Sequence, residues 1–275
     1  MTTDKKTALI TGASKGLGKE LALACAKKQY NLILVALPQS NIQGLADQII
    51  EDYGVEVETY EYDLTDEYKI YELAEHVCKK GPLDILINNA GCGGTGEFER
   101  SPVEYIDLVL KLNIRATSML TRLLMPALKA SGRRSYVMNI SSMAAFCPIG
   151  YKHVYPASKV FLYFLTQGLR EEYRYAGISF SSVHPGPMLT NLATSRRIIR
   201  QGLLARCCLL STCKIAAISL RRTLEGKSII IPGAGNKISY WLMKLLPSGM
   251  VKRLATKGVR RELQPGVFGV NYPAI

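Results

Sequence analysis

Thr7-Ala8-Leu9-Ile10-Thr11-Gly12-Ala13-Ser14-Lys15-Gly16-Leu17-Gly18 reads as a short buried strand followed at once by a glycine-rich turn. A helical run from Lys19 to Lys28 comes next. Strand, glycine turn and helix together make a phosphate cradle. Glycines let the backbone turn tightly and approach a diphosphate, and the helix N-terminus offers free N–H groups and a positive dipole end. The spacing is Gly-x-x-x-Gly-x-Gly, not the common Gly-x-Gly-x-x-Gly fingerprint. The place of the turn between a first strand and a helix therefore carries the reading.

The alternation continues outward from that unit. Strands are expected at Asn31–Ala36, Val55–Tyr62, Asp84–Asn88, Tyr136–Ile140, Ile178–Val183 and Ser228–Ile231. Helices are expected at Asn41–Tyr53, Thr65–Lys80 with Thr65 as cap, Pro102–Ala130 with a bend or end at Pro126, and Val154–Tyr175. Strands alternating with helices predict an α/β fold: a doubly wound, seven-stranded parallel sheet with helices on both faces. Right-handed crossovers place its site at the carboxyl ends of the strands. Gly12, Asp63, Asn89, Ser142 and Pro185 all fall at such ends.

The helix from Val154 carries Tyr155 and Lys159 four residues apart, hence on one face. An ammonium beside a phenol favours phenolate and lowers the tyrosine pKa, which suits a general acid or base. Ser142, thirteen residues before Tyr155, adds a hydroxyl if the chain loops back.

Thr-Gly-Ala-Ser-Lys-Gly-Leu-Gly, Asp63-Leu64, Asn-Asn-Ala-Gly, Asn113, Asn-Ile-Ser-Ser, Tyr-Pro-Ala-Ser-Lys and His-Pro-Gly-Pro-Met-Leu-Thr, in that order, resemble the classical short-chain dehydrogenase/reductase (SDR) family over roughly residues 7–232. The resemblance implies that Tyr155 is the proton donor to a substrate carbonyl and that Lys159 tunes it while holding the nicotinamide ribose. It implies that Ser142 steadies the substrate oxygen and that Asn113 holds a water linking Lys159 to solvent. Gly12, Gly16 and Gly18 would face the diphosphate, with Ser14, Lys15 and Leu17 in the same turn. Asp63 and Leu64 would meet the adenine. Asn89, Ala90 and Gly91 would pack beside the adenosine ribose, and Pro185, Gly186 and Thr190 would wrap the nicotinamide. His184 is expected to be structural.

The strand that would select the cofactor ends Val35-Ala36-Leu37-Pro38-Gln39, with no acid for a ribose 2′-hydroxyl. Lys15, assisted by Ser14 and Gln39, favours the 2′-phosphate of NADP over NAD. The resulting expectation is an NADP(H)-dependent oxidoreductase that interconverts a ketone and a secondary alcohol on a hydrophobic substrate, 3-oxoacyl, acyl-carrier-linked or hydroxysteroid-like. A catalytically silent nucleotide-sensing or scaffold protein of the same fold is the alternative. A homodimer or homotetramer is the family's habit.

The 275 residues are 48% hydrophobic, enough for one large domain. Residues 1–232 are assigned to dinucleotide binding and catalysis, including a lid near 187–211, and 233–275 to a basic amphipathic extension of the same domain. Seven cysteines at irregular spacing read as reduced thiols with no metal site. No leader or membrane span is read, so the expectation is cytoplasmic. The net charge of +13 is equalled by the excess of 15 basic over 2 acidic residues between Arg196 and Glu262. No aromatic-interleaved basic motif of a nucleic-acid module accompanies it. The apolar lid and the Trp241-bearing segment 237–261, broken at Pro247, suggest an apolar substrate and peripheral contact with an anionic membrane.

Overall fold

The computed structural model describes residues 5–189 and 208–260. Most of the anticipated lid, Thr190 within it, and the segment after Arg260 lie outside the described residues. The strands are β1 (Thr7–Thr11), β2 (Asn31–Ala36), β3 (Val57–Glu61), β4 (Ile85–Asn88), β5 (Ser135–Ile140), β6 (Ile178–Val183), β7 (Met188–Leu189), β8 (Leu210–Ser211) and β9 (Ile229–Ile230). The helices are α1 (Gly16–Ala26), α2 (Ile42–Tyr53), α3 (Glu67–Lys80), α4 (Val103–Val109), α5 (Thr117–Leu123), α6 (Met125–Lys129), α7 (Val154–Glu172), α8 (Thr212–Leu224), α9 (Ala234–Leu245) and α10 (Ser248–Arg260).

Seven strands form one sheet in the order β3-β2-β1-β4-β5-β6-β9, every pair parallel. The strands read as apolar runs because helices cover both faces. Alternate residues feed separate cores, as the pleat requires. Ala8, Ile10, Leu32, Leu34, Ile85 and Ile87 pack with Leu21, Ile49, Ile215 and Leu220 on one face. Leu9, Ile33, Val35, Leu86, Val137 and Phe180 pack with Leu73, Leu120 and Leu128 on the other.

Several boundaries differ from the sequence reading: α1 spans Gly16–Ala26 rather than Lys19–Lys28, α7 ends at Glu172 rather than Tyr175, and β9 is Ile229–Ile230 rather than Ser228–Ile231. Asp66, not Thr65, caps α3: its carboxylate accepts from Tyr68 N at 2.9 Å, while Thr65 N is held by the Asp63 carboxylate at 2.8 Å. A carboxylate outcompetes the expected hydroxyl at this turn. The stretch expected as one helix from Pro102 to Ala130 is four pieces: α4, a π-helical turn at Leu110–Ala116, α5 and α6. Pro126 sits in the first turn of α6, where its missing N–H is tolerated, and the break falls at Leu124. The expected strand Val55–Tyr62 shortens to Val57–Glu61 at the sheet edge.

Candidate active site

From β1 the chain moves to β2 on one side. From β4 it moves to β5 on the other. A crevice opens where the winding reverses, at the carboxyl ends of β1 and β4. The turns after these strands are tied together there. Thr11 Oγ1 accepts from the backbone N–H of Asn89 and of Ala90, both at 3.0 Å. The Asn89 amide donates to the Thr11 and Gly12 carbonyls at 3.0 and 3.1 Å.

The glycine turn is shaped for close approach. Gly12 has φ +64°, which an L side chain rarely adopts, and a Cβ on Gly18 would collide with the Gly12 carbonyl oxygen. Lys15 is the N-cap of α1, its side chain makes no capping bond, and it is exposed with Ser14 beside it. The first N–H groups of α1 are therefore open to an anion, and these residues fit a diphosphate. Leu17 and Gly18 are buried against the sheet. Beyond β2, Leu37 and Gln39 are exposed. Asp63 is exposed at the end of β3 and Leu64 is buried in the core beside it.

The second cluster lies across the crevice. Tyr155 and Lys159 share one face of α7, with the ammonium 5.7 Å from the phenol ring centroid. Lys159 is 5% exposed and donates to the Ile140 carbonyl at 2.9 Å. Burial pulls its pKa from 10.5 down to about 8. The next residue after Ile140, Ser141, donates to the Lys159 carbonyl at 2.8 Å and so fastens α7 to β5. Ser142 is the serine whose hydroxyl acts on Tyr155, pulling its pKa down, and its oxygen accepts from Ala144 N at 3.1 Å.

The expected lowering of the Tyr155 pKa does not occur. Burial pushes the phenol above its usual 10.0, with the Ser142 hydrogen bond pulling the other way. Lys159 directs its proton to the Ile140 carbonyl, and the residue whose pKa falls is the lysine. Desolvation outweighs the pull of the Ser142 hydroxyl here.

Asn113 sits on the π-helical turn with no exposed surface. Such turns insert one residue and re-aim the side chains around it. Its Oδ1 accepts from Cys92 N, and its Nδ2 donates to Cys92 O and to Ser158 Oγ, each at 2.9 Å. Ser158 in turn donates to the Tyr155 carbonyl at 2.8 Å. The amide thus spans three segments rather than bonding locally. Gly91 is hemmed in by this group: a Cβ there would lie 3.0 Å from Asn113 Oδ1 and 3.3 Å from Lys159 Nζ.

Pro185 is buried and its carbonyl accepts from Met143 N at 2.9 Å. His184 is fully buried between Ser142 O (3.1 Å) and Ser182 Oγ (3.0 Å) and against the Phe146 ring at 4.5 Å. Burial lowers its pKa to about 4, as befits a neutral structural imidazole. Six cysteines are free thiols, and no His/Cys/Asp/Glu cluster fit for a metal occurs among the described residues.

Two residues complete the site without belonging to any quoted motif. A Cβ on Gly93 would overlap the Tyr155 ring, so only glycine lets that ring settle. Asn236 of α9 donates to the carbonyls of Pro232 (2.8 Å) and Cys208 (3.1 Å), and its side chain fills the space a Cβ on Gly186 would need. The adjacent Gly93-Gly94 pair was the one available signal for the first. Asn236 lies in the C-terminal segment and had none. A cavity of about 170 Å³ beside Asp84 and Arg133 and one of about 470 Å³ beside Arg221 and Lys237 are lined by none of these residues.

The chain matches the family described as short chain dehydrogenase over residues 6–200. It is similar to the ketoacyl reductase HetN of Nostoc sp., 31% identical over 245 residues, 88% of this chain and 83% of HetN. The probable oxidoreductase EphD of Mycobacterium tuberculosis is 31% identical over 187 residues, 68% of this chain; the aligned part spans 31% of the length of EphD. Among solved structures, the short-chain dehydrogenase from Sphingobium yanoikuyae in complex with NADPH has a TM-score of 0.75 at 28% identity, covering 88% of this chain and 96% of that one.

Proposed function

The chain belongs to the short-chain dehydrogenase family, NAD(P)-dependent enzymes acting on the CH–OH/C=O couple, and on that premise we propose that it reduces a ketone on an apolar substrate with NADP(H). The observation that carries the reading is the buried Lys159, unpaired with any carboxylate among the described residues and 5.7 Å from the Tyr155 ring on the same face of α7. Bound in the crevice, the cofactor supplies hydride. Every other task falls to this chain.

Tyr155, held protonated by its raised pKa, donates its proton to the carbonyl oxygen. Ser142 donates a hydrogen bond to the same oxygen. Lys159, with a pKa of about 8, is mostly cationic at neutral pH and holds the ribose hydroxyls. Asn113 fixes the backbone at Cys92; with its side-chain amide used in full, a water linking Lys159 to solvent would be held by its backbone carbonyl. Gly12, Ser14, Gly16, Leu17 and Gly18 cradle the diphosphate, Asp63 and Leu64 receive the adenine, and Asn89, Ala90 and Gly91 flank its ribose. Pro185 and Gly186 border the nicotinamide.

Lys15 and the absence of an acid after β2 support NADP(H) over NAD. A 3-oxoacyl substrate is supported by the name of HetN, a ketoacyl reductase. A hydroxysteroid-like ketone is the second substrate class. The reading also takes the protein to be cytoplasmic and a homodimer or homotetramer.

The test follows NADPH oxidation over a panel of 3-oxoacyl thioesters, steroid ketones and sugars. Turnover should be confined to the apolar ketones and should vanish in Tyr155→Phe. NADPH binding without turnover on any ketone would instead indicate a sensing role. Lys15→Ala should raise KM for NADPH about tenfold, the loss of one charge-assisted contact, and leave KM for NADH unchanged. Equal effects on both cofactors would remove the argument for NADP.

A further inference from the structure

We infer that α9 and α10 form a platform that lies on an anionic lipid surface and holds the segment after Ser142 at that boundary, so that an apolar substrate enters from the lipid. α9 leaves Ile238, Trp241, Leu242 and Leu245 exposed, at i, i+3, i+4 and i+7, while Asn236 and Tyr240 on its other side are buried. Leu246 after it, and Met250 and Leu254 of α10, are exposed as well. Leu245 is 78% exposed and Ile238 60%. Four large apolar side chains exposed on one face of α9 mark an interaction surface rather than ordinary scatter.

The charge around the stripe has one sign. From Ala234 to Arg260 the charged residues are Lys237, Lys244, Lys252, Arg253, Lys257 and Arg260, with no acid. None of these cations pairs with a carboxylate among the described residues. Helix α3 of the same chain shows what a solvated face looks like: Lys69 pairs with Glu72 and Lys79 with Glu75. An apolar stripe flanked only by cations matches the acyl boundary and the anionic headgroups of a bilayer together. A second copy of this face would instead oppose like charges.

The platform is joined to the site. Tyr240 stacks edge-on against Phe146 at 4.6 Å, four residues past Ser142. Gly150 N donates to Thr256 Oγ1 of α10 at 3.0 Å. Asn236 braces Gly186. In its consequence for substrate entry the inference rests on the ketone-reductase reading; the lipid contact stands apart from it.

The experiment sediments the full chain with vesicles of phosphatidylcholine containing phosphatidylglycerol and with phosphatidylcholine alone, at low and high salt. The fluorescence of Trp241, the single tryptophan, is read in parallel. Expected are binding to the anionic vesicles, a blue shift of Trp241, and weakening by about tenfold or more in salt or on neutral lipid. The exposed-face variant Leu245→Glu/Leu254→Glu should lose binding, keep its turnover of a water-soluble ketone, and lose turnover of a ketone dissolved in the vesicles. Absence of binding at low salt, binding that this variant retains, or a self-associated species that hides Trp241 and excludes vesicles would overturn the platform. Binding without turnover of any ketone would overturn the ketone reading and keep the lipid contact. Equal turnover of the vesicle-borne ketone by both proteins would overturn entry from lipid.

Discussion

At the amino ends of the strands Asp84, 3% exposed, is met from three sides: by Arg133 Nε at 2.6 Å, Ser131 Oγ at 2.9 Å and Thr7 N at 2.8 Å. At the carboxyl ends Lys159, 5% exposed, donates to a neutral carbonyl, and no carboxylate among the described residues stabilises its charge. The first charge is compensated within the chain. The second is desolvated without a counter-ion among the described residues, a state that a structural residue has no reason to keep. The contrast teaches which end the fold has finished and which end awaits a ligand.

The difference can be broken by swapping the kind of damage each end takes. Tyr155→Phe removes the proton donor and leaves the packing. Turnover should fall by about a thousandfold or more, roughly 4 kcal/mol of barrier, with the melting temperature nearly unchanged. Comparable loss of stability would mean the carboxyl end is structural too. Asp84→Ala should do the reverse. It strands the Arg133 guanidinium, the Ser131 hydroxyl and the Thr7 amide, costing about 3 kcal/mol in urea unfolding, while kcat per folded molecule holds. A large fall in kcat would erase the distinction between the two ends.

An effect of similar size sharpens the comparison through pH. His184 has a folded pKa of about 4 against 6.5 unfolded. Between these values the unfolded chain binds the proton and the folded one does not, so stability rises with pH through this window. Lowering the pH from 7 to 4 should remove about 3 kcal/mol, and His184→Gln should flatten that dependence in urea titrations. An unchanged slope in the variant would place the acid sensitivity elsewhere.

The doubly wound order was legible because buried strands such as Leu32–Ala36 and Ile85–Asn88 are apolar on both faces and end in recognisable turns. The residues of the crevice were legible as motifs for the same reason: turn chemistry is local. The π-helical turn around Asn113 was not, since a one-residue insertion leaves the apolar periodicity of Pro102–Ala130 nearly intact. The direction of the Tyr155 pKa shift was also hidden. Helical spacing puts an ammonium beside a phenol, but the depth of burial and the competing Ile140 carbonyl come from β5 and are invisible in the spacing. Gly93 and Asn236 act through contacts made only after distant segments meet.

Thermal unfolding of the wild type and of Lys159→Met, each with and without saturating NADPH, tests the uncompensated-charge account most directly. Without cofactor the variant should melt above the wild type, by the equivalent of about 1 kcal/mol, because an unpaired buried ammonium has been replaced by an apolar chain. NADPH should raise the wild type by several degrees and the variant far less. Equal rises in the two proteins, or a cofactor-free variant melting well below the wild type, would contradict it.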